Sequence, residues 1–327
     1  LPDEFGLIAR LFAPLAAGFP GALGLTDDAA LVDVPPGLRQ VVTADAMVAG
    51  VHFLPDDPPE LIARKLVRVN LSDLAAKGAR PQAILLCAAF PRDITDAWLE
   101  RFAAGLAADV AEFDVPLIGG DTVATPGPLT LSLTALGLAE PGRELLRSAA
   151  TIGEEVWVSG TLGDSALGLM VLQGSLTVAD EDAAFLANRY HLPRPRTTLG
   201  PRLIGTARAA MDVSDGLGGD LGHMCRASGV GIEIEMARLP LSPATRRAVD
   251  ADSGLLAKCV SGGDDYEIVF TAAVGAEPAL AGLSAELGIA LTRIGRVVAG
   301  SAVTLLDAEG RRLPGLPAGY RHFTGAE

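Results

Sequence analysis

No uninterrupted apolar stretch of about 20 residues, the length a membrane-spanning helix needs, occurs in this 327-residue chain. That holds although 49% of its residues are hydrophobic and its mean hydropathy is +0.35. The longest apolar run, 83–90, has the length of a buried strand. No basic region leads into an apolar segment near the amino terminus, as a secretory signal would, so a soluble, cytoplasmic protein with no membrane partner is expected. Cysteine is scarce: Cys87, Cys225 and Cys259 are odd in number and lack CxxC or histidine spacing, which argues against a disulfide frame or zinc site and predicts reduced, buried thiols. Lysine is equally scarce. Lys65, Lys77 and Lys258 are the whole set, and none follows a GxxxxGKS or GxxxxGKT phosphate loop, which is absent. The HRD and DFG pair of protein kinases is missing, as is a GxGxxG turn between strand and helix. Positive charge is also short, with 26 lysines and arginines against 40 acids and a net charge of −14, which argues against a nucleic-acid partner. A negative protein that handles phosphates must recruit divalent cations or concentrate arginine locally, because bare carboxylates repel the substrate.

The length exceeds what one hydrophobic core usually organises, and two domains are expected, 1–147 and 148–327. Apolar spacing predicts a helix over 4–15, paired strands within 31–43 and a helix over 59–77. A strand over 83–90, a helix over 95–113 and strands over 115–118 and 129–138 complete the first domain. In the second, a strand at 156–159 leads through a glycine turn to a helix from Asp164. Helices over 182–190, 197–208 and 217–228 follow, with strands over 209–213, 232–234, 267–271 and 291–298. The fold class is α+β, mixed α/β.

Aspartates recur at the ends of apolar strands or beside glycine: Asp27, Asp28, Asp45, Asp73, Asp121, Asp212, Asp215, Asp264 and Asp265. Glycine lets backbone approach a ligand, and a strand end projects side chains toward a cleft. Carboxylate oxygens suit hard cations, and Mg²⁺ takes one or two carboxylates along with substrate phosphates. The set therefore points to several Mg²⁺ ions bridging a polyphosphate. Each aspartate also has a structural alternative. Asp27 or Asp28 fits a turn, Asp73 an i,i+4 pair with Lys77, and Asp215 the cap of the helix starting at Leu217. Asp164 reads as a helix cap, and His191 and His223 as structural or exposed. NLSDL (70–74) echoes DVSDG (212–216), and GGDT (119–122) echoes GGDD (262–265), as two related halves would.

In order along the chain stand EFGLIARLF, DDAALVDVP (27–35), VAGVHFLP (48–55), VNLSDLAAKGARP (69–81), LIGGDT (117–122), LRSAA (146–150), DVSDGLGGDL (212–221), SGGDDYEIVF (261–270) and GYRHF (319–323). The ordered series resembles the thiamine-monophosphate kinases, within the aminoimidazole ribonucleotide synthetase superfamily, nearly end to end. The resemblance implies an N-terminal dimerising sheet domain that binds ATP and Mg²⁺, a C-terminal α/β domain that completes the active site, and a homodimer. It implies Mg²⁺ ligation by Asp28, Asp45, Asp73, Asp121, Asp212 and Asp215. It further implies ATP contacts from Gly120, Asp121, Arg147 and Ser214, and thiamine monophosphate contacts from His52, Asp264 and Tyr320. Asp73, Asp121, Asp212 and Arg147 are the expected catalytic group. Arg147 offers a planar fork for phosphate oxygens, and Tyr320 an aromatic face for a cationic ring. The chain departs from the family's pattern in having Thr26 before Asp27, Ala44 and Ala46 around Asp45, and Asp264 where glutamate is common.

A phosphate monoester acceptor, with second pKa near about 6, is mostly dianionic at neutral pH and needs no general base. Direct in-line transfer without a phosphoenzyme is expected. The alternatives are an aminoimidazole ribonucleotide synthetase-like enzyme, against which VAGVHF and GYRHF speak, and a non-catalytic sensor of ATP with Mg²⁺.

Overall fold

The computed structural model describes residues 4–314, which divide into two compact units. Apart from 75–78, which group with the second unit, the first extends to Gly142 and the second starts at Arg143.

In the first unit α1 (Glu4–Leu7) does not continue as one helix to residue 15. It passes into a wider turn, Ile8–Phe12, and a tighter one, Ala13–Ala16, because Pro14 has no N–H to give to the ladder. The strand pair expected within 31–43 does not form either. Pro35 and Pro36 deprive that segment of ladder donors, Leu31 instead donates its N–H to Gly21 O (2.8 Å), and the one strand of the region is β1 (Arg39–Val48). There follow α2 (Pro59–Ala76), β2 (Arg80–Pro91), α3 (Asp96–Phe113), β3 (Leu117–Thr125) and β4 (Thr130–Ala139). Thr95 caps α3 by accepting from the N–H of Trp98, as its place before the helix predicts. The sheet order is β1-β4-β2-β3.

Period-two alternation gives this sheet one buried face and one open face. Met47, Leu86, Ala88, Leu131, Leu133 and Ala135 are buried, and the polar Thr43 and Asp45 share their side. Residues 16–32 cover Leu85 and Leu136 on the other face, while Val42, Cys87 and Val123 stay exposed. Cys87 thus departs from the expected burial, because the cover on its face reaches Ala83 and Leu85 and stops short of Cys87. Helices α2 and α3 are locked together by buried Asp109, which accepts from Arg64 Nε and Arg68 Nε, each at 2.7 Å.

The second unit runs β5 (Glu155–Ser159), α4 (Asp164–Leu172), α5 (Asp180–His191), α6 (Gly200–Leu203), β6 (Ala207–Asp212), α7 (Leu217–Ser228) and β7 (Gly231–Glu235). It continues with α8 (Pro243–Ala251), α9 (Leu255–Ser261), β8 (Ile268–Ala272), α10 (Glu277–Leu287), β9 (Leu291–Val298) and β10 (Val303–Leu306). The helix expected over 197–208 shrinks to α6, since Gly205 turns the chain at φ +91°. The sheet order is β10-β7-β9-β5-β8-β6, and only β10 and β7 run parallel. Central β5 is buried on both sides: Val156 and Val158 pack with Leu217, Leu221 and Ile232, and Trp157 with Phe270, Leu199 and Leu280. This two-sided core fixes the ends of β6 and β8, where the acidic turns begin.

Candidate active site

In the first unit, α2 lies along the covered face and meets β1 through polar contacts. Buried Asn70 accepts the N–H of Asp45 (3.0 Å) and donates to Leu66 O (2.9 Å). One helical turn later, Asp73 accepts the hydroxyl of Thr43 (2.5 Å). Asp45 and Asp73 therefore share one side of the sheet. Lys77 donates to Leu145 O instead, so the i,i+4 pairing is not what employs Asp73. Asp121 stands elsewhere. It pairs with Cys87 in a transverse row that runs through Ser132 to Ala46, and alternation directs its exposed carboxylate to the open face. Before it, Gly120 has φ +151°, and a Cβ there would lie 1.8 Å from Leu86 O, so only glycine fits. Asp28 sits in an exposed turn, with its N–H on Asp27 Oδ1 (2.8 Å). His52 accepts the N–H of Val48 at Nδ1 (3.0 Å), which fixes the tautomer protonated at Nε2.

In the second unit, β6 ends at buried Asp212 and the chain turns through 213–216 into α7. Gly216, at φ +102°, occupies the N-cap without a side-chain bond, so Asp215 is not the cap. The first turn is satisfied from inside the helix: buried Asp220 reaches back to the N–H of Asp215 (3.1 Å) and to that of Ser214. Burial, and then the charges of Asp212 and Asp215, push the Asp220 carboxyl up to about 8. That is the electrostatic mark of crowded acids. A second turn, 262–267, is laced to the first. Asp264 donates its N–H to Ser214 O (2.8 Å) and Tyr266 to Val213 O (2.8 Å), while Val213 donates to Glu267 O (2.9 Å). The approach is close enough that a Cβ on Gly263 would meet Ser214 O at 2.2 Å.

Arg147 is held at its carbonyl by the hydroxyl of Ser228 (2.9 Å), and its charge acts on His223 of α7. Burial, then Arg226 and Arg147, hold the His223 imidazole below its ordinary value, against the pull of Asp215. Arg147 and Asp215, both outside α7, thus lie within electrostatic reach of His223 on that helix. Asp164 is the first residue of α4 and not its cap. It is fully buried and accepts from Thr161 Oγ1 (2.6 Å) and Thr245 Oγ1 (2.7 Å).

Residues 26–139 match the family model described as AIR synthase related protein, N-terminal domain, and residues 151–307 match that of the C-terminal domain. The thiamine-monophosphate kinase of Caulobacter vibrioides is 46% identical over 93% of this chain and 86% of its own length. The crystal structure of the thiamine-monophosphate kinase from Stenotrophomonas maltophilia K279a aligns with a TM-score of 0.84 at 41% identity, covering 93% of this chain and 96% of that one. A structure described as AaThiL complexed with AMPPCP and TMP aligns with a TM-score of 0.79 at 29% identity, covering 98% and 97%. The chain belongs to the thiamine-monophosphate kinase family.

In its second unit the chain brings Asp212, Ser214, Asp215 and Asp264 together, with the charge of Arg147 acting on nearby His223, and in its first it sets Asp45 and Asp73 on one side of the sheet. Asp121 is directed to the other face of that sheet, and Asp28 sits in an exposed turn. Tyr320, the remaining expected contact, lies outside the described residues. Among the described residues no group of three or more His, Cys, Asp or Glu could hold a metal ion unaided. The donor set nevertheless fits Mg²⁺. That ion keeps several waters and takes phosphate oxygens beside one or two carboxylates, and the acids around Asp220 already crowd negative charge. The sequence reading of these kinase residues missed Thr43, Asn70 and Asp220. An acid in the first turn of α7, four residues after Gly216, was the available signal for Asp220.

Proposed function

We propose that the protein transfers the γ-phosphoryl group of ATP to thiamine monophosphate, giving thiamine diphosphate and ADP. The observation that carries the reading is the 2.8 Å hydrogen bond from Asp264 N–H to Ser214 O. It makes a candidate acceptor contact the direct neighbour of a candidate ATP contact. The relative bound to AMPPCP and TMP supports the same pair of substrates.

In this reading Asp28, Asp45, Asp73 and Asp121 of the first unit, and Asp212 and Asp215 of the second, supply oxygen ligands for several Mg²⁺ ions. When bound, Mg²⁺ neutralises phosphate charge so that two polyanions can approach. Gly120 and Ser214 contact the nucleotide, and Arg147 forks onto phosphate oxygens and orients them. His52, Asp264 and Tyr320 hold the acceptor. An oxygen of its dianionic phosphate attacks the γ-phosphorus in line as the bond to the ADP oxygen breaks, so no side chain needs to remove a proton and no phosphoenzyme forms. Such a reaction draws on the cytoplasmic ATP pool. Among the described residues no helix is long and apolar enough to cross a membrane.

Release of ADP, measured with and without thiamine monophosphate in the presence of Mg²⁺, tests the reading. ADP production that requires the acceptor supports it; ADP release indifferent to the acceptor, or absent, favours a nucleotide sensor. A homodimer formed through the open face of the first sheet belongs to the same proposal, supported by exposed Val42 and Val123. Val42→Arg should yield monomers in sedimentation, and an unchanged mass would remove that face from the interface.

A further inference from the structure

The turn after α9 carries two residues in the left-handed region, where side-chain-bearing residues are uncommon: Asp264 at φ +69° and Tyr266 at φ +50°. Neither is glycine, so each conformation is held against its own local preference. Asp264 and Tyr266 are half-buried, whereas Asp265 and Glu267 are buried at 1% and 0% exposure. The turn therefore alternates, with every second residue turned inward.

What the inward acids grip is specific. Asp265 Oδ2 accepts the N–H of Gly163 at 2.7 Å, and its Oδ1 faces the N–H of Ser165 at 3.4 Å. Both N–H groups belong to the start of α4, where backbone donors lack partners within the helix and the dipole favours an acceptor. Glu267 accepts from Ser159 Oγ (2.6 Å), from Arg196 Nε (2.6 Å) and Nη2 (2.5 Å), and from Arg189 Nη2 (3.2 Å). Glu267 thus fixes the point where β8 begins, and Asp265, lying between the two left-handed residues, fixes the turn itself.

The neighbouring turn has an anchor of its own. Asp220 holds the N–H groups of Ser214 and Asp215 from inside α7, so the nucleotide side of the site has an anchor that does not pass through Asp265. The acceptor side depends on Asp265, because the direction in which Asp264 leaves the backbone is set by the conformation that Asp265 sustains.

We propose that Asp265 is a positioning residue for the acceptor: through its bonds to the start of α4 it maintains the left-handed backbone that aims Asp264. The inference rests on the reading that Asp264 meets thiamine monophosphate. Its mark is selective, a loss of acceptor affinity that spares ATP.

The test compares Asp265→Ala, Asp265→Asn and Asp264→Ala in steady-state kinetics, with both substrates varied and the unfolding midpoint of each variant measured. For Asp265→Ala the expected result is an acceptor KM raised about tenfold or more, with the ATP KM and kcat within about twofold of the parent. Asp265→Asn keeps the shape and one acceptor oxygen for Gly163 N–H and should recover most of the loss, which a purely structural role would not predict at equal unfolding midpoint. If the alanine variant does not fold, Asp265→Glu replaces it, since its extra methylene displaces the turn while keeping the carboxylate; the same selective rise is expected. Equal increases in both KM values, or none, would overturn the proposal. Asp264→Ala separates the two layers of the argument. If it leaves the acceptor KM unchanged, the assignment of Asp264 fails; if it raises that KM and Asp265→Ala does not, only the positioning role fails.

Discussion

Thr43 on β1 donates its hydroxyl to Asp73 on α2 at 2.5 Å, so a strand residue aims a carboxylate carried by a helix. The contact leaves one oxygen of Asp73 for another partner and limits its rotamers. Preorganisation of this kind is what a metal ligand needs from its surroundings.

Asp73→Asn and Asp121→Asn should abolish turnover while preserving the circular dichroism and melting of the parent. Thr43→Val, which keeps the shape and removes the donor, should raise the Mg²⁺ concentration for half-maximal rate by about tenfold, the usual scale for a lost second partner of a ligand. Near-normal turnover of the asparagine variants at saturating Mg²⁺ would take both aspartates out of the metal role.

Asp220 holds the turn that carries Ser214 and Asp215. Asp220→Ala should raise the ATP KM and the Mg²⁺ requirement together and leave the acceptor KM near the parent's, the opposite pattern to Asp265→Ala. An Mg²⁺ titration at fixed ATP, followed by the reverse, measures both effects.

Arg196 and Arg189 share the buried carboxylate of Glu267. Arg196→Ala strips the closer partner from a fully buried charge and should cost about 3 kcal/mol or more of stability, read as a lower urea midpoint at unchanged slope. A loss within the error of the urea fit would mean that Arg189 alone suffices.

Burial holds the Asp265 carboxyl well above 3.8, its ordinary value. At a pH between the unfolded and folded values, the folded chain holds a proton there that the unfolded chain has lost. The stability this gives is complete below pH 3.8 and is lost as pH rises toward the folded value. Asp265→Asn removes the dependence, so as pH rises above 3.8 the variant should gain on the parent by up to about 1.4 kcal/mol per pH unit until the folded carboxyl ionises. Parallel pH profiles of unfolding free energy would show that Asp265 is ionised in the folded protein.

The long elements were legible from spacing alone: α2, α3 and α7 have apolar periods too regular to mistake, and β4 alternates along its length. The short helices α8, α9 and α10 were not, since each is under a dozen residues and owes its stability to packing more than to propensity. Cys87 reads as core because it lies in an apolar run, and only the sheet's open face distinguishes it from Leu86. The two neighbouring acids of the second turn look equivalent in sequence, yet the fold sends Asp264 toward the first turn and Asp265 into the protein. Asp220 resembles any acid on a helix until the 213–216 turn returns over it. What sequence conceals in each case is which side of the backbone faces inward.

The positive φ of Asp264 narrows evolutionary choice before chemistry is consulted. Aspartate and asparagine visit that backbone region more readily than longer side chains do, so a glutamate here would extend its reach at the expense of conformational comfort. The short acid occupies this turn at less conformational cost than glutamate would, and with less span. Mutational drift at position 264 is thereby steered by the Ramachandran map as much as by the molecule being held.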